Sequence, residues 1–141
     1  MKKIFKKIYN IKTITFFIVI VFCLDRIFKY LALNNKIFFY KNPGITFSIK
    51  IPENLFLYFY ILVFLILIIL IHFLIKEIKN KNLLLITSYA LLIIGAASNL
   101  IDRFKFNYVI DYLNFYFFYN NLADIAICFG IILLIINLFK K

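Results

Sequence analysis

Tryptophan is absent from the chain, and Gly (3), Pro (2), Cys (2), Met (1) and His (1) are scarce among its 141 residues. The two cysteines, Cys23 and Cys128, stand alone in separate apolar stretches without metal-ligand spacing, so they read as small membrane hydrophobes. His72 is far in sequence from the acids and reads as an interfacial polar residue. The chain therefore supplies neither a His/Cys ligand cluster nor a Ser–His arrangement. Acids are scarce too: 6 Asp and Glu stand against 17 Lys and Arg. Abundant Ile, Lys, Asn, Phe and Tyr look like a genome biased toward A and T, so aromatic richness alone says little. Each Gly, Pro or Asp that is present says more.

A hydrophobic content of 65% and a mean hydropathy of +0.98 exclude a soluble domain, which could not hide so much apolar surface. The net charge of +11 does not point to nucleic acid, because of where the charges lie. Lys2, Lys3, Lys6, Lys7 and Lys12 precede the first apolar run; Lys76, Lys79 and Lys81 separate the second and third; Lys140 and Lys141 end the chain. Lysines in alternate loops are the positive-inside signature, and they suit anionic headgroups. Both termini are thus expected in the cytoplasm, in contact with membrane lipids. A lysine-rich start and apolar run before Cys23 also suggest a cleaved lipoprotein leader. Val21 and Phe22 stand where cleavage needs small residues, so the expectation is that this segment is retained as a helix.

Four segments have spanning length, about 20 apolar residues for a ~30 Å core: 14–33, 55–75, 83–101 and 122–139. Nothing resembles a linker or a repeat, so residues 1–141 are expected to form one integral membrane domain. Two connections then lie outside, 34–54 and 104–121. The first holds two strand-like stretches, 36–40 and 45–49, around Asn42-Pro43-Gly44, where Gly is expected to supply a positive φ. The second is thick with Phe and Tyr, which favour the headgroup level.

Four aspartates, Asp25, Asp102, Asp111 and Asp124, sit in or beside apolar segments and fall toward one membrane face. A charge at mid-bilayer costs roughly 2.5–3.5 kcal/mol even on the gentler scale, so each is a candidate functional group. Gly95, Asn99 and Asp102 share a helical stripe, as do Asn121, Asp124 and Cys128. Gly95, Ala96 and Ala97 allow close helix approach. Asp102 and Asp124 reach a similar depth, and Asp111 lies on the connection between them. Two nearby carboxylates cannot both ionise comfortably, so one can act as base toward water while the other polarises a carbonyl. Simpler roles stay open for each: Asp25 neutralised by Lys29 at i+4, Asp102 paired with Arg103 at a helix end, Asp111 a loop acid, Asp124 a helix cap. A transporter or proton path fits the residues almost as well, and a divalent cation among the carboxylates has no supporting spacing.

Five blocks in order resemble the prolipoprotein signal peptidases, the type II signal peptidases of bacteria. Asp25-Arg-Ile-Phe-Lys29 resembles Asp-x-x-x-Lys, and Asn42-Pro-Gly-Ile-Thr-Phe-Ser48 resembles Asn-x-Gly followed by two small or apolar residues and Phe. Gly95-Ala-Ala-Ser-Asn-Leu-Ile-Asp-Arg103 resembles Gly-Ala-x-Gly-Asn-x-x-Asp-Arg. Val109-Ile-Asp-Tyr112 resembles Val-x-Asp-Phe, and Asn121-Leu-Ala-Asp124 resembles Asn-x-Ala-Asp. Ser98, Ile94 and Asn120 depart from the family's usual Gly, Gly and Phe, and the Asp111–Asp124 stretch is short. The resemblance implies an all-α membrane fold of four transmembrane helices with a small β-structured cradle on the outer face. It also implies an aspartyl endopeptidase of the bacterial inner membrane; the paired-carboxylate chemistry needs no metal, no cofactor is expected, and a monomer is expected. The implied substrate is a prolipoprotein whose cysteine carries a diacylglyceryl group, cut just before that cysteine. By position Asp111 and Asp124 are the implied catalytic pair. Asp25, Lys29, Asn42, Gly44, Phe47, Gly95, Asn99, Asp102, Arg103, Asn121 and Ala123 are implied to bind substrate or support the pair.

Overall fold

The structure, a computed structural model, describes residues 10–44 and 52–140. The expected strand 45–49 with Phe47, and Lys2, Lys3, Lys6, Lys7 and Lys141, lie outside the described residues. The described elements run α1 (Ile11–Leu33), β1 (Tyr40–Asn42), a short 3-10 turn (Glu53–Leu55), α2 (Phe56–Asn80), α3 (Leu83–Phe106), β2 (Val109–Asp111), β3 (Leu113–Asn114), β4 (Tyr119–Asn120) and α4 (Leu122–Leu138). This is a four-helix membrane fold with short antiparallel ribbons at one end.

Asparagines punctuate the helices. Asn10 accepts the Thr13 amide at 2.9 Å and opens α1, Asn82 accepts the Leu85 amide and opens α3, and Asn121 accepts the Asp124 amide and opens α4. Lys81, at φ 56°, ends α2 one residue before the cap of α3, so these two helices are antiparallel neighbours. Asn107, at φ 62°, ends α3 in the same left-handed way. Helix α3 thus runs five residues beyond the apolar stretch expected to end at Ile101, because its backbone ladder continues until a residue tolerates positive φ.

The packing is inverted relative to a soluble bundle. Helix α2 buries no residue completely, and Leu57, Phe64, Ile68 and Phe73 all point outward. Among the described residues, only α2 and α3 are long and apolar enough by composition alone to cross a bilayer, since charges interrupt α1 and α4 is shorter. Helix α3 is the hub, burying residues on most of its length. Gly95 and Gly130 set the close approach of α3 and α4. A Cβ on Gly95 would meet the Ala123 carbonyl at 2.5 Å, and one on Gly130 would meet Leu92 Cγ at 2.8 Å. Ser88 Oγ donates to the Gly130 carbonyl at 2.7 Å, so the crossing is held by polar as well as apolar contact. An apolar core of Ile14, Ile18, Ile86, Leu91 and Ala126 fills the half of the bundle near the α2–α3 connection.

At the other end β1 pairs with β2, Tyr40 opposite Asp111 and Asn42 opposite Val109. β3 pairs with β4, Leu113 opposite Asn120, and Tyr40 stacks on Tyr119 at 5.2 Å to join the two ribbons. The strand expected at 36–40 is found instead at Tyr40–Asn42, sharing only Tyr40 with the expectation, because these residues are the ones that find a partner on Val109–Asp111. The Asn42-Pro43-Gly44 turn is made differently from expectation. Gly44 does not take a positive φ; instead Asn42 Oδ1 accepts the Gly44 amide at 3.0 Å, closing the turn with a side chain.

Candidate active site

All four aspartates converge at the ribbon end, but they fall into two kinds. Asp25 and Asp102 belong to a buried ionic cluster. Lys29 Nζ, fully buried, lies 3.1 Å from Asp25 Oδ2 and 2.8 Å from Asp102 Oδ2. Arg26 Nη1 lies 2.6 Å from Asp102 Oδ1. Two acids and two bases therefore cancel, which is what makes burial of Asp25, Lys29 and Asp102 beside the partly exposed Arg26 tolerable. Asp102 does not pair with Arg103; it pairs with α1, because Arg103 points past it to donate to the Gly44 carbonyl at 3.0 Å. The expected Asp25–Lys29 contact is present, but it is one part of this larger cluster.

Asp111 and Asp124 have no ion pair among the described residues; amides hold them. Asn121 Nδ2 donates to Asp111 Oδ1 at 2.7 Å, and Asn42 Nδ2 donates to Asp111 Oδ2 at 2.9 Å. Asn99 Nδ2 donates to Asp124 Oδ1 at 2.7 Å. Asn121 also accepts the Asp124 amide, so this one side chain touches both acids. Lys29 Nζ donates to Asn99 Oδ1 at 2.9 Å, making Asn99 the link from the ionic cluster to Asp124. Burial raises the Asp111 carboxyl to about 6, and the Asp124 charge adds to the rise; the Asn42 and Asn121 hydrogen bonds and Lys29 oppose it. Asp124 lies in the first turn of α4, but the cap is Asn121 and not Asp124 as the simplest reading had it; the Asp124 carboxylate is turned to Asn99 on another helix.

Of the remaining expected residues, Gly95 and Ala123 form the α3–α4 contact, and Ala123 also donates its amide to Asp25 Oδ1 at 3.2 Å. Three residues not singled out as site residues join the site. Arg26 balances Asp102. Ser98 Oγ donates to Asp25 Oδ2 at 2.5 Å and receives Arg26 Nη1 at 3.3 Å. Tyr112 OH donates to Asp25 Oδ1 at 2.9 Å. The signal for Arg26 and Ser98 was their helical spacing, Arg26 three residues before Lys29 and Ser98 four before Asp102, which places them on the ionic stripe. Every buried side-chain nitrogen and oxygen among the described residues has a partner.

Asp124, Asn99, Asn42 and Arg103 face a cleft of about 720 Å³ between α2, α3, α4 and the ribbons. Its other walls are largely apolar, with Phe59 and Val63 from α2, Ala96 and Leu100 from α3, and Ile127 and Cys128 from α4. Phe117, Phe118 and Tyr119 close it on the ribbon side. Asp111 is fully buried and meets the cleft through Asn42, which donates to it and lines the cleft. A chain with one polar edge and apolar flanks can lie here against Asp124.

Helices clothed in apolar side chains around an enclosed acidic centre define the class: an integral membrane protein with a polar site under a lateral apolar cleft. Comparison with known proteins is specific. Residues 17–140 match the family described as signal peptidase (SPase) II, and the chain belongs to that family. It is similar to the lipoprotein signal peptidase of Actinobacillus succinogenes, 31% identical over 141 residues, covering 86% of each chain. That of Coxiella burnetii is 33% identical over 144 residues, again covering 86% of each. A solved bacterial membrane enzyme has the same fold, with a TM-score of 0.79 at 29% identity, over 94% of this chain and 90% of its own.

Proposed function

We propose that this chain is a membrane-embedded aspartic endopeptidase in which Asp111 and Asp124 are the catalytic pair. It removes signal peptides from bacterial prolipoproteins, as its family membership implies. The substrate carries a diacylglyceryl cysteine, and the cut falls just before that cysteine. One observation carries the choice of acids. Asp25 and Asp102 are each neutralised by a cation within 3.1 Å, whereas Asp111 and Asp124 share only amide donors. A carboxylate locked to Lys or Arg is a poor proton acceptor; one held by amides in a dry site keeps its basicity.

The chemistry then follows from two carboxyls sharing one proton. The ionised member removes a proton from water as the oxygen attacks the scissile carbonyl, and the protonated member donates to the carbonyl oxygen. The tetrahedral intermediate collapses with C–N cleavage: the amine leaves with the proton held by the acid that accepted it, and one hydroxyl of the intermediate returns its proton to the other carboxylate as the carbonyl re-forms. Asn42, Asn121 and Asn99 orient the pair, and Lys29 acts on Asp124 through Asn99. Arg103 ties Gly44 to the cleft wall. The lipid anchor of the substrate holds its cysteine at the membrane surface, and the apolar cleft receives the segment before it. The lysine pattern supports a site near the outer face with both termini cytoplasmic, one domain over residues 1–141, and contact with lipids rather than nucleic acid. A monomer suffices, since the proposed machinery lies within one chain.

A proton or ion path is the lesser reading. It needs polar groups at successive depths, yet the far half of the bundle packs Ile14, Ile18, Ile86 and Leu91 together. Expression in cells lacking their own type II signal peptidase tests the proposal: a lipoprotein precursor should shorten. Ion flux in liposomes that depends on Asp124, with no precursor cut, would favour the path instead.

A further inference from the structure

The first turn of α4 carries Asp124, and its leading amides are free of helical partners. Side chains from two other parts of the chain, and from the helix's own cap, take them. Leu122 N donates to Tyr112 OH at 3.1 Å, Ala123 N to Asp25 Oδ1 at 3.2 Å, and Asp124 N to Asn121 Oδ1 at 2.9 Å. Asp25 is in turn gripped on both oxygens by hydroxyls: Tyr112 OH on Oδ1 at 2.9 Å and Ser98 Oγ on Oδ2 at 2.5 Å. The Tyr112 ring stacks on Phe28, three residues along α1 from Asp25, with centroids 5.3 Å apart. Burial raises the Tyr112 phenol above its usual range, and the Asp25 charge adds to the rise, so the phenol remains a proton donor across working pH.

We propose that Ser98 and Tyr112 are positioning residues for the peptidase reaction: their hydroxyls fix Asp25 as the brace of the first turn of α4, and so fix Asp124. The device differs from what Lys29 alone supplies. Lys29 neutralises Asp25 from one side, but a single ion pair leaves the carboxylate free to pivot. Two hydroxyls from α3 and the ribbon end hold it against that rotation. Tyr112 does this twice over, since its oxygen also receives the neighbouring α4 amide. Neither hydroxyl lines the cleft, so loss of either changes the geometry of the reacting pair while leaving substrate contacts in place.

This rests on the aspartic peptidase reading, and the test separates the two. Wild type, Tyr112→Phe and Ser98→Ala are purified in detergent and assayed on a synthetic diacylglyceryl lipopeptide, each also in an Asp25→Asn background. The expected result is a roughly tenfold fall in kcat for each single variant with KM within about twofold, a loss characteristic of misplaced reacting groups. Asp25→Asn should absorb the effect, so that adding Tyr112→Phe or Ser98→Ala to it changes kcat little. Restoring a hydroxyl with Ser98→Thr should recover more of the rate than Ser98→Ala. Wild-type kcat in both single variants, a change in KM alone, or undiminished effects in the Asp25→Asn background would overturn the positioning role while leaving the peptidase intact. Failure of the wild type itself to cut the lipopeptide would overturn the reading on which the role rests. Should Tyr112→Phe fail to fold, the Ser98 variants decide the matter by the same criteria.

Discussion

Replacing Lys29 with Met should destabilise the bundle more than any other single change near the site. The ammonium is fully buried and lies within 3.1 Å of Asp25 and 2.8 Å of Asp102. Met matches its length but leaves two buried carboxylates facing one cation, Arg26. Breaking one side of a buried pair costs about 3–5 kcal/mol, because the residual charge stays desolvated. For a chain of this size that corresponds to a fall of roughly 10 °C in melting temperature, readable by thermal unfolding of the detergent-purified protein. The charge argument makes a sharper demand. The double variant Lys29→Met, Asp25→Asn restores neutrality, with Arg26 and Asp102 still paired at 2.6 Å, so it should recover more than half of the loss. A single variant melting within about 2 °C of wild type, or a double variant less stable than the single, would refute the reasoning.

Gly95→Ala should lower the melting temperature and slow cleavage, since its Cβ would sit 2.5 Å from the Ala123 carbonyl and 2.7 Å from Ile127 Cγ1; overpacking of this kind costs about 1–3 kcal/mol. The pH dependence follows from Asp111, whose carboxyl rises from 3.8 to about 6 on folding. The folded state holds that proton more tightly, so this group's contribution to stability is complete below about 3.8 and lost as pH rises through about 6. Asp111→Asn should abolish that part of the slope in denaturant unfolding measured between those limits, and wild-type kcat/KM should show an acid limb near pH 6 belonging to the acid pair. A reporter active only in the periplasm should be silent after Lys141 and active when inserted between Tyr116 and Phe117, the exposed tip of the β3–β4 ribbon; the reverse would place the site on the wrong face for a lipidated substrate.

The sequence makes the helices legible because spanning length and hydropathy are properties of composition. It makes the α3 end less so, because Asp102, Arg103 and Lys105 are polar but still helical, and only the left-handed Asn107 stops the ladder. Each acid stood out through the cost of its burial, but its partner did not. Asp102 with adjacent Arg103 looked like a pair, yet neighbours along a helix point about 100° apart, and Arg26 and Lys29 on α1 took that place. Tyr112 was hidden for a related reason. It follows Asp111 in an extended stretch, where successive side chains point to opposite sides, so Asp111 meets Asn42 and Asn121 while Tyr112 reaches Asp25. Ser98, a departure from the family pattern, gains its meaning only when Asp25 of a distant helix arrives beside it.

The most direct test of the central claim is the rate of cleavage of a diacylglyceryl lipopeptide by purified Asp111→Asn and Asp124→Asn, with the product identified by mass. Each substitution keeps the side-chain size but removes the acid that the pair needs to share a proton. The account predicts a wild-type product released just before the lipidated cysteine, without added metal and in the presence of chelators. In either variant the rate should fall by about 10²–10⁴-fold. Cleavage by either variant within a few-fold of wild type would contradict it.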